Sequence, residues 1–271
     1  MQYVHKTKNI NLYKTFNCGQ CFRFNEMTDR SFTGVAFGRV LHIDTADDGI
    51  VLKNCDERSF NDTWCDFFAF DMDYEKINNN FPSVGFFKTA AEYSDGIRVL
   101  RQDIFETLIS FIISQNNNIP RIKKIISSFC ENFGEKIIYN GYEYYTFPSP
   151  QYLKNITLND LSVIKSGFRA KYILDAVQKI TNGEIDLPKI KSMTYDTAKE
   201  ELKKIKGVGD KVADCVLLFG AGKYEAFPRD VWIKKVMDTY FGGEDGVNLF
   251  GEYAGIAQQY LFYYSRENLN G

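Results

Sequence analysis

Lys211 stands at the exit of a glycine-punctuated turn, Ile205-Lys206-Gly207-Val208-Gly209-Asp210, and Asp230 closes the triplet Pro228-Arg229-Asp230 further along. Glycines at 207 and 209 leave backbone with no Cβ, so a large anion can approach closely. The N–H groups that open the next helix point at such an anion. A lysine amine attacks carbon only as the free base, and an ordinary lysine is almost wholly protonated near neutrality. The positive end of a helix works against the ammonium, whereas Asp210 next door favours it, so the balance stays open at this level. A carboxylate just ahead of an apolar-periodic helix caps it, and can also stabilise a positive charge that develops opposite it. The pattern therefore suggests a phosphate-bearing ligand and an amine nucleophile. Each residue also has a plainer reading: a solvated lysine, a helix cap, and for Cys215, four residues after Lys211 on the same helical face, a small core residue. Lys203, Lys204 and Lys206 read as surface charges or phosphate contacts.

Helices are needed to hold these groups. Leu202 and Ile205 mark one that enters the glycine turn. Val212, Val216 and Phe219 mark the one that leaves it, and Trp232, Val236 and Tyr240 the one after Asp230. A last helix is expected around 253–264. Upstream, helical spacing begins near Ser94 with Ile97, Leu100, Ile104, Leu108 and Phe111. Asn116-Asn117-Asn118 interrupts it, and Pro120 suits the first turn of a helix that buries Ile122, Ile125, Ile126, Phe129 and Phe133. Another helix is expected over 171–180. The first third reads as β: strand formers fill 32–43, Asp47-Asp48-Gly49 makes a turn, and Ile50-Val51-Leu52 returns. Residues 53–93 are mixed, and the tyrosines at 139, 142, 144 and 145 with Phe147 read as packing or loop cover. The fold class is α+β: an antiparallel β-rich N-terminal domain over 1–93, then an all-helical domain over 94–271 whose last helix packs back on the first.

The chain of 271 residues is 44% hydrophobic and 25% charged, as in an ordinary globular protein that buries a large core. Its net charge of −2 argues mildly against nucleic acid as partner, but a local basic stripe lies at 203–211. Cys18-Gly19-Gln20-Cys21 has a zinc or redox spacing, yet no second such pair follows and only His5 and His42 are on hand. Free thiols in a reducing compartment are the simpler reading. Neither a secretory signal nor a membrane span is expected.

Residues 207–215 together with Pro228-Arg229-Asp230-Val231 resemble the helix-hairpin-helix and Gly/Pro-Asp motif of the DNA glycosylase superfamily, and within it the 8-oxoguanine DNA glycosylase branch. Cys18-Gly19-Gln20-Cys21-Phe22-Arg23, Leu100-Arg101-Gln102-Asp103, Asn116-Asn117-Asn118-Ile119-Pro120-Arg121-Ile122, Gly167-Phe168-Arg169-Ala170-Lys171-Tyr172 and Tyr253-Ala254-Gly255-Ile256-Ala257-Gln258 resemble that branch in the same order. The likeness spans nearly the whole chain, and is weak at 53–93 and 135–147.

The resemblance implies base excision from duplex DNA carrying 8-oxoguanine, by flipping the nucleotide out of the helix. It implies that Lys211 attacks C1′ and that Asp230 stabilises the sugar cation, followed by a Schiff base and β-elimination. Gly19, Cys215, Gln258 and Phe262 match the base-binding positions. In 8-oxoguanine N7 carries a proton, where guanine N7 accepts one, so the Gly19 carbonyl would accept it. Gln258 would read the Watson–Crick edge, and Cys215 and Phe262 would sandwich the ring. Asn116, Arg121, Phe168 and Arg169 match groups that fill the gap and face the opposite base. Gly207, Gly209 and Trp232 match contacts to the phosphate backbone. Phe168 stands where better-known members carry tyrosine, and Trp232 where they carry histidine, which puts cytosine selectivity and one phosphate contact in question.

No side-chain metal site and no required cofactor are implied, though the family hairpin has room for a cation on backbone carbonyls. A monomer is expected, in the cytoplasm with the nucleoid in a bacterium or archaeon, or in a nucleus. The alternatives are a glycosylase of this fold for another damaged base, a non-catalytic helix-hairpin-helix DNA-binding protein, or a CxxC zinc or redox protein. The superfamily's four-cysteine iron–sulfur loop is absent, because Cys215 is the last cysteine. Alkylbase members lack the lysine.

Overall fold

Alternation of apolar and polar residues writes the N-terminal sheet. The computed structural model describes residues 1–82 and 85–269. Its five antiparallel strands are β1 (Gln2–Lys6), β2 (Phe24–Glu26), β3 (Phe32–Ala36), β4 (Arg39–Ala46) and β5 (Gly49–Lys53), in the order β1-β5-β4-β3-β2. The run 32–43, filled with strand formers, divides between two strands. Phe37 and Gly38 both take positive φ, 50° and 70°, and make a two-residue turn that pairs Ala36 with Arg39. Phenylalanine rarely marks such a turn, so the sequence hid it. The expected return after Asp47-Asp48 is present, with Ala46 opposite Gly49.

The helices are α1 (Leu12–Asn17), α2 (Glu57–Ser59), α3 (Cys65–Phe67), α4 (Tyr74–Asn79), α5 (Gly85–Tyr93), α6 (Ile104–Ser114), α7 (Ile119–Phe133), α8 (Ala170–Thr181), α9 (Leu187–Ser192), α10 (Tyr195–Lys203), α11 (Asp210–Ala221), α12 (Val231–Tyr240), α13 (Gly246–Phe250) and α14 (Ala254–Asn268). The helix expected from Ser94 starts ten residues later. Asp103 caps it by accepting from the Glu106 N–H at 2.9 Å, so Ile97 and Leu100 lie in an irregular segment instead. Ile205 likewise lies past the end of α10, in the turn. Pro120 sits in the first turn of α7 as expected, behind the Asn118 cap. The tyrosine-rich stretch is a hairpin, β6 (Lys136–Tyr139) and β7 (Tyr142–Tyr145), turned at Asn140-Gly141 with positive φ at both. It is a β element inside the otherwise helical half.

Two cores result. One packs the sheet and α1 around Phe16, Phe24, Phe67 and Phe68. The larger one packs α6 to α14, and draws in Cys18, Phe22 and Tyr74 from the N-terminal part. Segment 97–103 runs between the cores, and its buried backbone is satisfied by side chains. Gln20 Oε1 accepts from the Leu100 N–H at 2.8 Å, and Gln20 Nε2 donates to the Arg98 carbonyl at 2.7 Å. The Arg98 guanidinium donates to Phe68 O and stacks on Tyr74. The last helix packs on α5, ties to Ser94 through the Tyr260 carbonyl, and holds Asn17 O through Arg266.

Candidate active site

The glycine turn is built by two different glycine requirements. Gly207 has φ +81°, and a Cβ there would lie 2.4 Å from the Tyr172 ring of α8. Gly209 is extended at φ −99°, caps α11, and has nothing near its would-be Cβ. The first glycine is demanded by the fold, and the second leaves a bare surface. Asp214, one turn into α11, is buried and accepts from Tyr195 Oη at 2.7 Å and Lys199 Nζ at 2.9 Å. That network clamps α10 to α11 and fixes the direction in which Lys211 leaves the helix.

Lys211 lies in the first turn of α11 with its amine 5.0 Å from the centre of the Phe111 ring. Asp210 is turned away from it, paired with Lys203 at 3.0 Å. The opposing influence of Asp210 is thus partly spoken for by another cation. Cys215 is buried beneath Lys211; burial pushes its thiol up to about 11, and the Lys211 ammonium pulls the other way. Asp230 caps α12, accepting from the Ile233 N–H at 2.8 Å. Burial raises its pKa, against the pull of that N–H and of Lys211. The thiol and the carboxylate thus both feel the charge of Lys211.

Gly209, Lys211, Asp230, Trp232, Asn116 and Phe262 line one cavity of about 1150 Å³. Gly19 is not part of that lining but lies beside its Phe262 wall: its φ is +82°, and a Cβ there would stand 3.2 Å from the Phe262 ring. Gln258 is buried, donating to Pro228 O at 3.0 Å and accepting from Gln259 at 2.8 Å. It therefore fixes the loop that carries Asp230. Asn116 is exposed with φ +47° on the α6–α7 loop. Arg169 is buried, donating to Gln115 O at 2.9 Å and to Asn116 O at 2.8 Å, so it shapes that loop. Arg121 is exposed in the first turn of α7. Phe168 is half exposed, with the Arg169 guanidinium 4.4 Å from its ring centre. These last three are not among the cavity's lining; they flank the loop that Asn116 stands on.

Several features were not legible in the motifs. The hairpin lysines do not form a free basic stripe: Lys203 pairs with Glu200 and Asp210, Lys204 with Glu201, and Lys206 with Asp175. Arg229, Lys234 and Arg266 also line the cavity. Arg266 had a signal, since it follows Phe262 by one helical turn and Gln258 by two. The thiols of the CxxC are buried; burial pushes Cys18 up to about 12 and Cys21 up to about 11. Among the described residues no group of three or more His, Cys, Asp or Glu is placed to hold a metal. No helix of the described residues is long and apolar enough to cross a membrane.

Residues 2–108 match the 8-oxoguanine DNA glycosylase N-terminal domain, and residues 109–246 match the HhH-GPD superfamily base excision DNA repair protein. The chain is 40% identical to the Clostridium acetobutylicum 8-oxoguanine glycosylase/lyase solved with double-stranded DNA containing cytosine opposite 8-oxoG. That match covers 99% of both chains at a TM-score of 0.94. A structure of MBOgg1 with a low-affinity DNA ligand is 41% identical, covering 100% of both chains at a TM-score of 0.93. A Methanothermobacter thermautotrophicus protein described as a probable N-glycosylase/DNA lyase is 35% identical over 204 residues. That alignment spans 65% of each chain, just under two thirds of the relative's length.

Proposed function

The chain belongs to the 8-oxoguanine DNA glycosylase family of the helix-hairpin-helix base-excision superfamily, and from that premise we propose that it is a bifunctional glycosylase and abasic-site lyase acting on 8-oxoguanine in duplex DNA. The observation that carries the reading is the cavity lined by both Lys211 and Asp230, with Cys215 close to both charges and Gly19 packed beside its Phe262 wall.

The everted nucleotide enters the cavity with C1′ toward Lys211 and its base toward Phe262 and Gly19. The unprotonated amine of Lys211 forms a bond to C1′ as the C1′–N9 bond breaks, and the pair of electrons leaves with the base. Ionised Asp230 faces the positive charge that grows on the sugar. Loss of the amine's proton and opening of the sugar ring give a Schiff base. Removal of a C2′ proton then expels the 3′ phosphate, which nicks the strand. Gly207 and Gly209 bring the hairpin backbone against the phosphates, with the α11 N–H groups aimed at them. Phe168 enters the stack as an apolar wedge. Asn116 and Arg121 face the orphaned base, on a loop that Arg169 holds.

The hairpin offers only backbone oxygens for a cation, a donor set that suits a hard ion. Lys179 already donates to one of them, the Lys204 carbonyl. No chemical step depends on such an ion.

Mixing the protein with an 8-oxoguanine duplex and borohydride should trap a covalent adduct that Lys211→Gln abolishes. Undiminished trapping in that variant would move the nucleophile elsewhere. Repeating the assay with each of the four bases opposite the lesion reads the effect of Phe168 and Arg121.

A further inference from the structure

Of the cations that line the cavity without a role in the reaction above, Arg266 alone has a buried donor with no partner among the described residues. Arg266, on α14, lines the same space as Lys211 and Asp230. Its Nη2 donates to Asn17 O at 2.7 Å, and its Nε and Nη2 both donate to Glu267. Its Nη1 is buried and has no hydrogen-bond partner. A buried guanidinium N–H without an acceptor is costly, and its neighbours tell what acceptor it suits. Nη1 stands 3.8 Å from where a Gly19 Cβ would be, and the guanidinium centre is 5.8 Å from the middle of the Phe262 ring. The orphaned donor therefore lies at the corner where Gly19 meets the Phe262 ring.

In a purine, N7 and the C8 substituent are adjacent on one edge. A base that stacks on Phe262 and gives its N7 proton to the Gly19 carbonyl carries its C8 oxygen toward Nη1. We propose that Arg266 is a specificity residue that donates Nη1–H to the C8 oxygen of the everted base. This rests on the function proposed above. Undamaged guanine has hydrogen at C8 and no acceptor there, so the contact separates the two bases at the atom where they differ. The positive charge also favours the electron-rich base as it departs.

The test compares two reactions in one protein: single-turnover excision from an 8-oxoguanine duplex, and strand cleavage at a preformed abasic site, where no base fills the corner. Arg266→Met keeps the apolar stem and removes the donors. It should lower excision relative to abasic cleavage by about ten- to a hundred-fold. Arg266→Lys, which can retain a donor toward Asn17 O but lacks the second arm that carries Nη1, should leave that ratio low; full recovery of the ratio by lysine would show that the tie to Asn17 is what matters and overturn the proposal. Equal losses in both reactions would make Arg266 a structural tie and overturn the proposal, as would an unaltered ratio. A wild-type protein that excises no 8-oxoguanine overturns the function itself. One that excises normally, with the ratio unmoved in Arg266→Met, overturns only this assignment.

Discussion

Asp230 is held by one interaction and used for another. Its carboxylate caps α12 through the Ile233 N–H, while burial raises its pKa above the ordinary aspartate value of 3.8. Asparagine caps a helix about as well as aspartate, so Asp230→Asn separates the two roles. Excision should fall about a hundred- to a thousand-fold, the cost of losing one well-placed charge in a transition state. The melting temperature should hold or rise at pH 7. The sign follows from linkage: a carboxyl with a raised folded-state pKa adds stability below its unfolded value, and loses it as pH rises through the folded one. At neutral pH the ionised, buried carboxylate is therefore a cost that asparagine removes. The rate runs the other way, because only ionised Asp230 faces the sugar cation. The acid limb of the wild-type pH–rate profile should thus lie above 3.8 and vanish in Asp230→Asn. A variant that melts far lower but retains its rate would reduce Asp230 to a cap. At this scale the sequence was informative: residue type and spacing pointed to Lys211 and Asp230, whereas Cys215 read as a small core residue until the family resemblance singled it out. It could not show that Asp210 turns to Lys203, because that depends on the angle between α10 and α11.

At the scale of elements, the two hairpin glycines should fail differently. Gly207→Ala must take a positive φ and push on the Tyr172 ring, so it should destabilise the free protein by about 1–3 kcal/mol. Gly209→Ala meets nothing and keeps an allowed φ, so its melting temperature should scarcely move while its affinity for duplex DNA falls. Thermal melts and a binding titration on both variants decide it. Equal stability losses would mean that Gly209 also serves packing. The hairpin's carboxylates add a second expectation. Because Lys203, Lys204 and Lys206 are already paired, duplex binding should weaken with salt less steeply than three free phosphate contacts would require, about 0.9 per contact in log–log slope. A slope that Glu201→Gln leaves untouched would confirm that Lys204 does not reach DNA, whereas a steeper slope would show that its pairing masks it. The elements themselves were unevenly legible. Apolar spacing in 122–133 gave α7 because Ile122, Ile125, Ile126 and Phe129 on its face are buried; Phe133, at its last residue, is only half-buried. The same spacing in 97–111 overran, since Ile97 and Leu100 are apolar for a buried irregular segment that mimics helical period. Asn140-Gly141 did carry a hairpin signal, masked by the tyrosines around it.

At the scale of the molecule, recognition depends on a seam. Gly19 lies in the segment after α1 and Lys211 in the helical part, so the proposed base pocket needs that segment to keep its place against Phe262 of α14. Gln20 is the main fastening: almost fully buried at 1% exposure, it bonds Leu100 N–H, Arg98 O and Thr15 O through its amide, and its own carbonyl accepts from Gln102. No sequence pattern marked this, because one glutamine in a short motif has no periodicity and its partners Arg98, Leu100 and Gln102 are remote in the chain. Gln20→Ala strands the Leu100 N–H and the Arg98 carbonyl in a dry interior, which should cost about 2–4 kcal/mol and lower the melting temperature by several degrees. Catalysis should suffer selectively. Lys211, Asp230 and the hairpin all sit in the larger core and keep their arrangement, so cleavage at a preformed abasic site should fall less than excision of 8-oxoguanine, which needs Gly19 in register beside Phe262. Stability loss alone would depress both reactions equally and disappear at a temperature well below the melt. Measuring both rates far below the transition isolates the displacement of Gly19. If excision then matches wild type, the seam serves stability only, and the pocket tolerates movement between its two halves.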